Sequence, residues 1–224
     1  LWSNIRWTLR GNLLTVPTDC PQRDERLGWM GDIGAFAQTA VFQRDVSGVF
    51  TKWIQDVRDA QADDGRYPDF APHPYGRNER FTGTPAWGDA GVIVPWVAWL
   101  NYGDKRLVQT HLDSMLKWLE RIRSKNPDLV WRKERGNDYG DWLNGDTLVH
   151  EGWPKTGAST PGEVLGTAYF AHSARLVAKM ASVVGRTEDA QRCQALFEGI
   201  RSAFQKAFVA EDGRVQGDSQ GAYA

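Results

Sequence analysis

Between Pro17 and Asp32 the chain reads Pro-Thr-Asp-Cys-Pro-Gln-Arg-Asp-Glu-Arg-Leu-Gly-Trp-Met-Gly-Asp. Those sixteen residues carry four carboxylates (Asp19, Asp24, Glu25, Asp32), two arginines (Arg23, Arg26) and the indole of Trp29. Two prolines and two glycines break helix or strand across most of the run. Holding so many opposite charges in one irregular shape is costly, and a chain maintains such an arrangement where a ligand needs it. These residue types suit cleavage of a glycosidic bond. One carboxyl protonates the leaving oxygen and another works on water. Arginine fixes hydroxyls and carboxylates, and an indole covers the apolar face of a pyranose. Charges on Asp19, Asp24 and Asp32 favour a protonated Glu25, whereas Arg23 and Arg26 favour its carboxylate; the sequence leaves that balance open. The alternative is a charged surface loop held by its own ion pairs, with Glu25 bound to Arg26 or Arg6.

Eleven tryptophans are the outlier in composition. Trp53, Trp99 and Trp118 fall inside helix-like patterns and are expected to pack in a core. Trp29, Trp87, Trp131, Trp142 and Trp153 fall in Gly/Asp/Pro-rich connections, where stacking on carbohydrate suits them better. His73, His111, His150 and His172 show no metal spacing, and His111 and His172 are expected on the core or surface faces of helices. Asp63-Asp64-Gly65 lacks the rest of a calcium-loop pattern and reads as a solvated turn. Cys20 and Cys193 give neither a disulfide framework nor a metal motif. They favour a reducing, cytoplasmic compartment, with one disulfide and a periplasmic or secreted setting left open. No cofactor motif is present. A net charge of −1 over 224 residues offers no basic excess for nucleic acid. No apolar run reaches the ~20 residues that span a bilayer, so no membrane partner is expected.

The elements that must hold these residues are helical. Leu1 to Asn12 reads as the end of a helix, with Trp2, Ile5, Leu9 and Leu13 on one face. Asp32 is expected to cap a helix over Ile33–Phe42, and Asp45 to restart one through Val46, Phe50, Trp53 and Val57. Further helices are expected over Ala90–Tyr102 despite Pro95, after the Asp104 cap, from Pro161 in the first turn to Gly185, and from Thr187 to Phe208. One more begins after Gln216. A Leu129-Val130-Trp131 ribbon is the sole candidate strand. Short turns alternate with long polar loops over residues 62–88 and 125–160. The pattern predicts an all-α chain, an α/α toroid whose long loops gather at one end.

The run Asp19-Cys20-Pro21-Gln22-Arg23-Asp24-Glu25-Arg26-Leu27-Gly28-Trp29, followed by Gly31-Asp32, resembles the signature of bacterial α-L-rhamnosidases, glycoside hydrolase family 78. Trp87-Gly88-Asp89-Ala90, Tyr139-Gly140-Asp141-Trp142-Leu143 and Gly166-Thr167-Ala168-Tyr169-Phe170 resemble later motifs of that family, in order along the chain. The resemblance implies an (α/α)6 barrel that hydrolyses terminal α-L-rhamnosides with inversion. It implies the general acid at Glu25, rhamnose-hydroxyl contacts at Asp19, Arg23 and Asp32, a pocket wall at Trp29, and further aromatic walls at Trp87 and Trp142. It places the general base beyond Ala224, and neither Glu151 nor Glu163 has the context to replace it. Residues 1–224 are therefore expected to form one partial barrel, truncated at both ends. Such a piece should self-associate through apolar surface near Ile33–Phe42 and Leu165–Met180. Two other readings remain: another α/α-barrel glycosidase or lyase, and a non-catalytic piece.

Overall fold

The structure, a computed structural model, describes residues 1–144 and 159–224. The described residues form α1 (Trp2–Asn12), α2 (Met30–Gln43), α3 (Ser47–Asp59), α4 (Ala90–Tyr102), α5 (Lys105–Lys125), α6 (Gly162–Val183), α7 (Thr187–Phe208) and the short α8 (Gln220–Tyr223). Helix α4 packs on α2, α3, α5 and α6, and α6 in turn packs on α5 and α7. Thus α2, α4 and α6 form an inner row, with α3, α5 and α7 outside it. The composition explains the division. Helix α4 is apolar nearly all round and buries seven of its residues, including Val92, Val94 and Val97. Helices α3 and α5 instead bury one stripe each, as outer helices with a solvent face do.

Connections alternate in length. Residues 44–46, 103–104 and 184–186 are tight turns that follow the inner helices. Asp104 caps α5 by accepting from the Arg106 amide, and Gly103 takes the left-handed conformation (φ +67°) that closes α4. The long connections 13–29 and 60–89, and the described parts of a third, 126–144 and 159–161, each lead into the N-terminus of an inner helix. All three therefore meet at one end of the bundle.

Several local expectations change. Helix α2 begins at Met30, with Trp29 at the cap position, so Asp32 lies in its first turn and does not cap it by a side-chain hydrogen bond. Its charge still suits a helix N-terminus. Asp45 precedes α3 by two residues and accepts from the Ser47 amide and hydroxyl. Pro161 precedes α6, which starts at Gly162. Leu129 turns left-handed (φ +62°), which is incompatible with a ribbon there. Trp131 is buried to 1% exposure between Trp118 and Phe170, so it is core and leaves the set of stacking candidates. His150, Glu151 and Trp153 lie outside the described residues. Cys20 and Cys193 are both free.

The apolar surface also differs from expectation. Helix α6 buries Val164, Phe170, Leu176, Val177 and Met180, leaving Ala168, His172, Arg175 and Lys179 on its open face. On α2 the exposed large apolar residue is Phe42, at 73%; Trp2, Trp7, Leu14 and Leu100 stand exposed elsewhere. No helix among the described residues is long and apolar enough to cross a membrane.

Candidate active site

The loop from Thr18 to Trp29 is tied to itself. The Asp19 amide donates to Leu27 O at 3.0 Å, and the Leu27 amide donates to Asp19 Oδ1 at 3.2 Å. Arg26 makes the return possible by adopting φ +54°, a conformation that a non-glycine residue takes only where its surroundings impose it. The loop is then docked on its neighbour. Ala71 N donates to Gly28 O (3.0 Å), Met30 N donates to Asp69 O (2.9 Å), and Trp53 Nε1 donates to Ala71 O (3.0 Å). Gly28 is required here, because a Cβ at that position would collide with the Ala71 carbonyl oxygen.

Inside this frame Glu25 accepts from Trp29 Nε1 at 2.9 Å and pairs with Arg23. Arg26 turns instead to Asp24, and Arg6 lies over Trp2, so neither neutralises Glu25. Burial, followed by the hydrogen bond between the Asp19 and Glu25 carboxyls, pushes Asp19 up. Desolvation also pushes Glu25 up, but hydrogen bonds from Asp19, Trp29 and Arg23 outweigh it and hold Glu25 low. Asp32 is pushed up by desolvation and then by the charge of Asp19. Asp19 and Asp32 line one depression of about 250 Å³ with Asn12, Thr18 and Phe36.

The carboxyl oxygens of Asp19 and Glu25 and the Cys20 sulfur lie within 4.8 Å of one another. Burial and the neighbouring Asp19 keep the Cys20 thiol protonated. A protonated thiol beside a carboxyl whose pKa is raised is poorly suited to a cation, which needs its ligands deprotonated.

The three expected aromatic walls come together. Tyr139 touches Trp29 (ring centroids 5.8 Å), Trp87 (4.7 Å) and Trp142 (6.2 Å). Each of the three long connections contributes to this group. Trp87 lies against Gly31 of α2, where a Cβ would stand 2.6 Å from the indole. Two residues after it, Asp89 is fully buried and accepts from Trp118 Nε1 (3.0 Å), Ser173 Oγ (2.6 Å) and the Ala86 amide (2.9 Å). This pins the start of α4 to α5 and α6. Asp141 does similar work beside Trp142, accepting from Ser159 N (2.9 Å) and Thr160 Oγ1 (2.7 Å). Phe70 and Phe81 extend the aromatic surface from Trp29, at 4.8 and 6.4 Å. Sequence reasoning missed Tyr139, Asp69, Phe70 and Phe81 as parts of the site. Tyr139 sits in the Tyr-Gly-Asp-Trp motif, which was the available signal; the other three carry none.

The family model of the bacterial alpha-L-rhamnosidase six-hairpin glycosidase domain matches residues 1–224. The chain belongs to this family. It is 47% identical over 223 residues to an α-L-rhamnosidase of Streptomyces avermitilis, covering 100% of this chain and 20% of that protein. The crystal structure of the Streptomyces avermitilis α-L-rhamnosidase complexed with L-rhamnose superposes with a TM-score of 0.86 at 45% identity, covering 99% of this chain and 20% of that one. The native α-L-rhamnosidase of Aspergillus terreus gives a TM-score of 0.86 at 32% identity, with 96% and 24% covered. The chain thus spans about one fifth of the length of these relatives. The all-helical, two-row arrangement is a sector of the family's α/α toroid.

Proposed function

We propose that residues 1–224 supply the proton-donating half of an inverting α-L-rhamnosidase site, within one partial (α/α)6 catalytic domain. Glu25 is the general acid, Asp19, Arg23 and Asp32 bind sugar hydroxyls, and Trp29, Trp87 and Trp142 wall the pocket. The observation that carries this reading is the Glu25 carboxyl, which lies beside that of Asp19 and accepts from the Trp29 indole at the end where the aromatic loops meet. The L-rhamnose complex of the Streptomyces avermitilis relative supports the choice of sugar. Arg23 is 63% exposed, so its bond to Glu25 is one that an incoming hydroxyl can displace. Releasing that cation raises the affinity of Glu25 for a proton, as a general acid requires.

Inversion needs a second carboxylate roughly 6.5–9.5 Å from the acid, with water between them. We assign that base to a residue outside 1–224, as the family resemblance implies. The isolated 224-residue polypeptide is accordingly expected to turn over rhamnosides poorly and to self-associate through its exposed apolar residues, which light scattering reads directly. The decisive test of function is a panel of nitrophenyl glycosides offered to the intact protein, with NMR of the first-formed anomer. Selective release from the α-L-rhamnoside with inverted product is expected. Preference for another glycoside, or an unsaturated product, would move the chain to the wider class of α/α-barrel glycosidases and lyases.

A further inference from the structure

Asp69 and Tyr139 lie in different loops, and the site chemistry described above uses neither. Asp69 is fully buried, yet all its polar atoms are engaged. Its backbone oxygen accepts from Met30 N (2.9 Å), the residue after Trp29. Its Oδ1 accepts from the Thr84 amide (3.2 Å), and its Oδ2 accepts from Tyr139 OH (3.1 Å) and Asn137 Nδ2 (3.2 Å). Asn137 Nδ2 also donates to the Tyr139 hydroxyl at 3.1 Å, which closes a triangle. A phenol held at its oxygen by a buried carboxylate has its ring orientation fixed. Among the described residues, this is the one ring in contact with Trp29, Trp87 and Trp142 alike. Trp29 in turn donates to Glu25.

We propose that Tyr139, keyed by the buried carboxylate of Asp69, is a positioning residue that sets the Trp29 indole and, through its N–H, the protonation and aim of Glu25. The proposal rests on the reading of Glu25 as proton donor. A simpler view treats the Asp69–Tyr139 bond as loop stapling. The two differ in what they expect of Glu25. The Trp29 N–H favours ionised Glu25, so a looser Trp29 raises the Glu25 pKa, whereas a staple alone leaves it fixed. Other groups facing Glu25 are Asp19, Cys20 and Arg23 of its own loop and Asp32 of α2, whereas the side-chain hydrogen bonds of Tyr139 and Asp69 run to Asn137, Thr84 and each other.

The test compares Tyr139→Phe with the parent in the intact protein, using a rhamnoside with a poor leaving group. The ring and its aromatic contacts stay, and only the hydroxyl is lost. Thermal unfolding confirms that the variant folds. The basic limb of the kcat/KM–pH profile, where the acid loses its proton, should move to higher pH. At the same time kcat/KM should fall about tenfold or more, in keeping with the cost of small misplacements at a reacting centre. Asn137→Ala, at an exposed residue, removes two sides of the triangle but leaves the bond from the Tyr139 hydroxyl to Asp69, so it should shift the same limb the same way by less. Profiles of both variants that superpose on the parent would overturn the positioning role. Glu25→Gln run alongside separates the two claims. If it is impaired while both variants match the parent, the acid stands and the positioning role fails. If it retains full activity, the acid reading fails, and this proposal fails with it.

Discussion

Replacing Glu25 by Gln in the intact protein isolates the proton. The side chain is 25% exposed and keeps its shape. The Gln carbonyl oxygen can still accept from Trp29 Nε1, so the 2.9 Å bond has a successor. The amide nitrogen, however, now points a donor at Arg23, and that pairing is lost. Since Arg23 is mostly solvent-exposed, the loss matters little for folding. Asp19 loses its carboxyl partner and should ionise more readily, because the bond to Glu25 is among the causes that raise it. The fold should therefore survive with an unchanged unfolding midpoint. Catalysis should not. A positioned general acid is worth roughly 10²–10⁴ in rate, or about 3–5 kcal/mol of transition-state stabilisation. That loss should appear in full for alkyl or sugar leaving groups and shrink for nitrophenolate, which leaves without a proton. The assay is kcat/KM across rhamnosides graded by leaving-group pKa, where the variant should give a steeper slope than the parent. Parallel slopes, or near-parent turnover of the poorest leaving group, would refute the assignment.

Other perturbations follow from the same contacts. Asp89→Ala strips the acceptor from Trp118, Ser173 and the Ala86 amide in a dry interior, so a loss of about 3–5 kcal/mol in urea unfolding is expected; an unchanged midpoint would contradict the pin. Gly31→Ala puts a methyl 2.6 Å from the Trp87 indole. It should weaken L-rhamnose binding by up to about tenfold, the worth of one aromatic contact, while helix propensity offsets any cost in stability; calorimetry reads the first and thermal melting the second. His111 is buried in α5, and desolvation followed by the charge of Arg58 pushes its pKa down from 6.5 to about 4. The unfolded chain then binds the extra proton first, so stability should fall as pH drops from about 6.5 to about 4. His111→Gln should flatten that slope, and an equally steep slope in the variant would rule His111 out as its source.

Much of this was legible because helical periodicity and breakers are local signals. The stripe of Phe50, Trp53, Ile54 and Val57 and the Gly103-Asp104 turn specify α3 and the α4–α5 junction without reference to distant residues. Helix α4 runs through Pro95 as expected. The start of α2 was misplaced because its first turn is set by a distant partner, the Asp69 carbonyl oxygen that accepts from Met30. Trp131 misled for a similar reason. Its neighbours in sequence look like loop, but its amide is held by Thr167 Oγ1 (3.0 Å) and its ring by α5 and α6. Within the site, the acidic motif announced Glu25 and Asp19, whose spacing is local. The contest over the Glu25 charge was decided by side-chain direction, with Arg23 turned onto Glu25 and Arg26 onto Asp24, and sequence carries no record of that. Asp69 was invisible because the partners of its side chain lie 15 to 70 residues away.

Trp29, Trp87 and the Tyr139–Trp142 pair arrive on three separate connections, each preceding a different inner helix. A molecule that touches all of them acts as a further cross-brace between helical hairpins, beside the hydrogen bonds that Asp69 and Asp89 already make across them. By mass action, a ligand at a hundred times its dissociation constant would add about 2.7 kcal/mol to the assembled state. That increment would be shared by every opening in which one connection swings away. Saturating sugar should therefore slow amide exchange in all three connections together, including at residues of theirs that never contact it, and leave the tight turns at the opposite end unchanged.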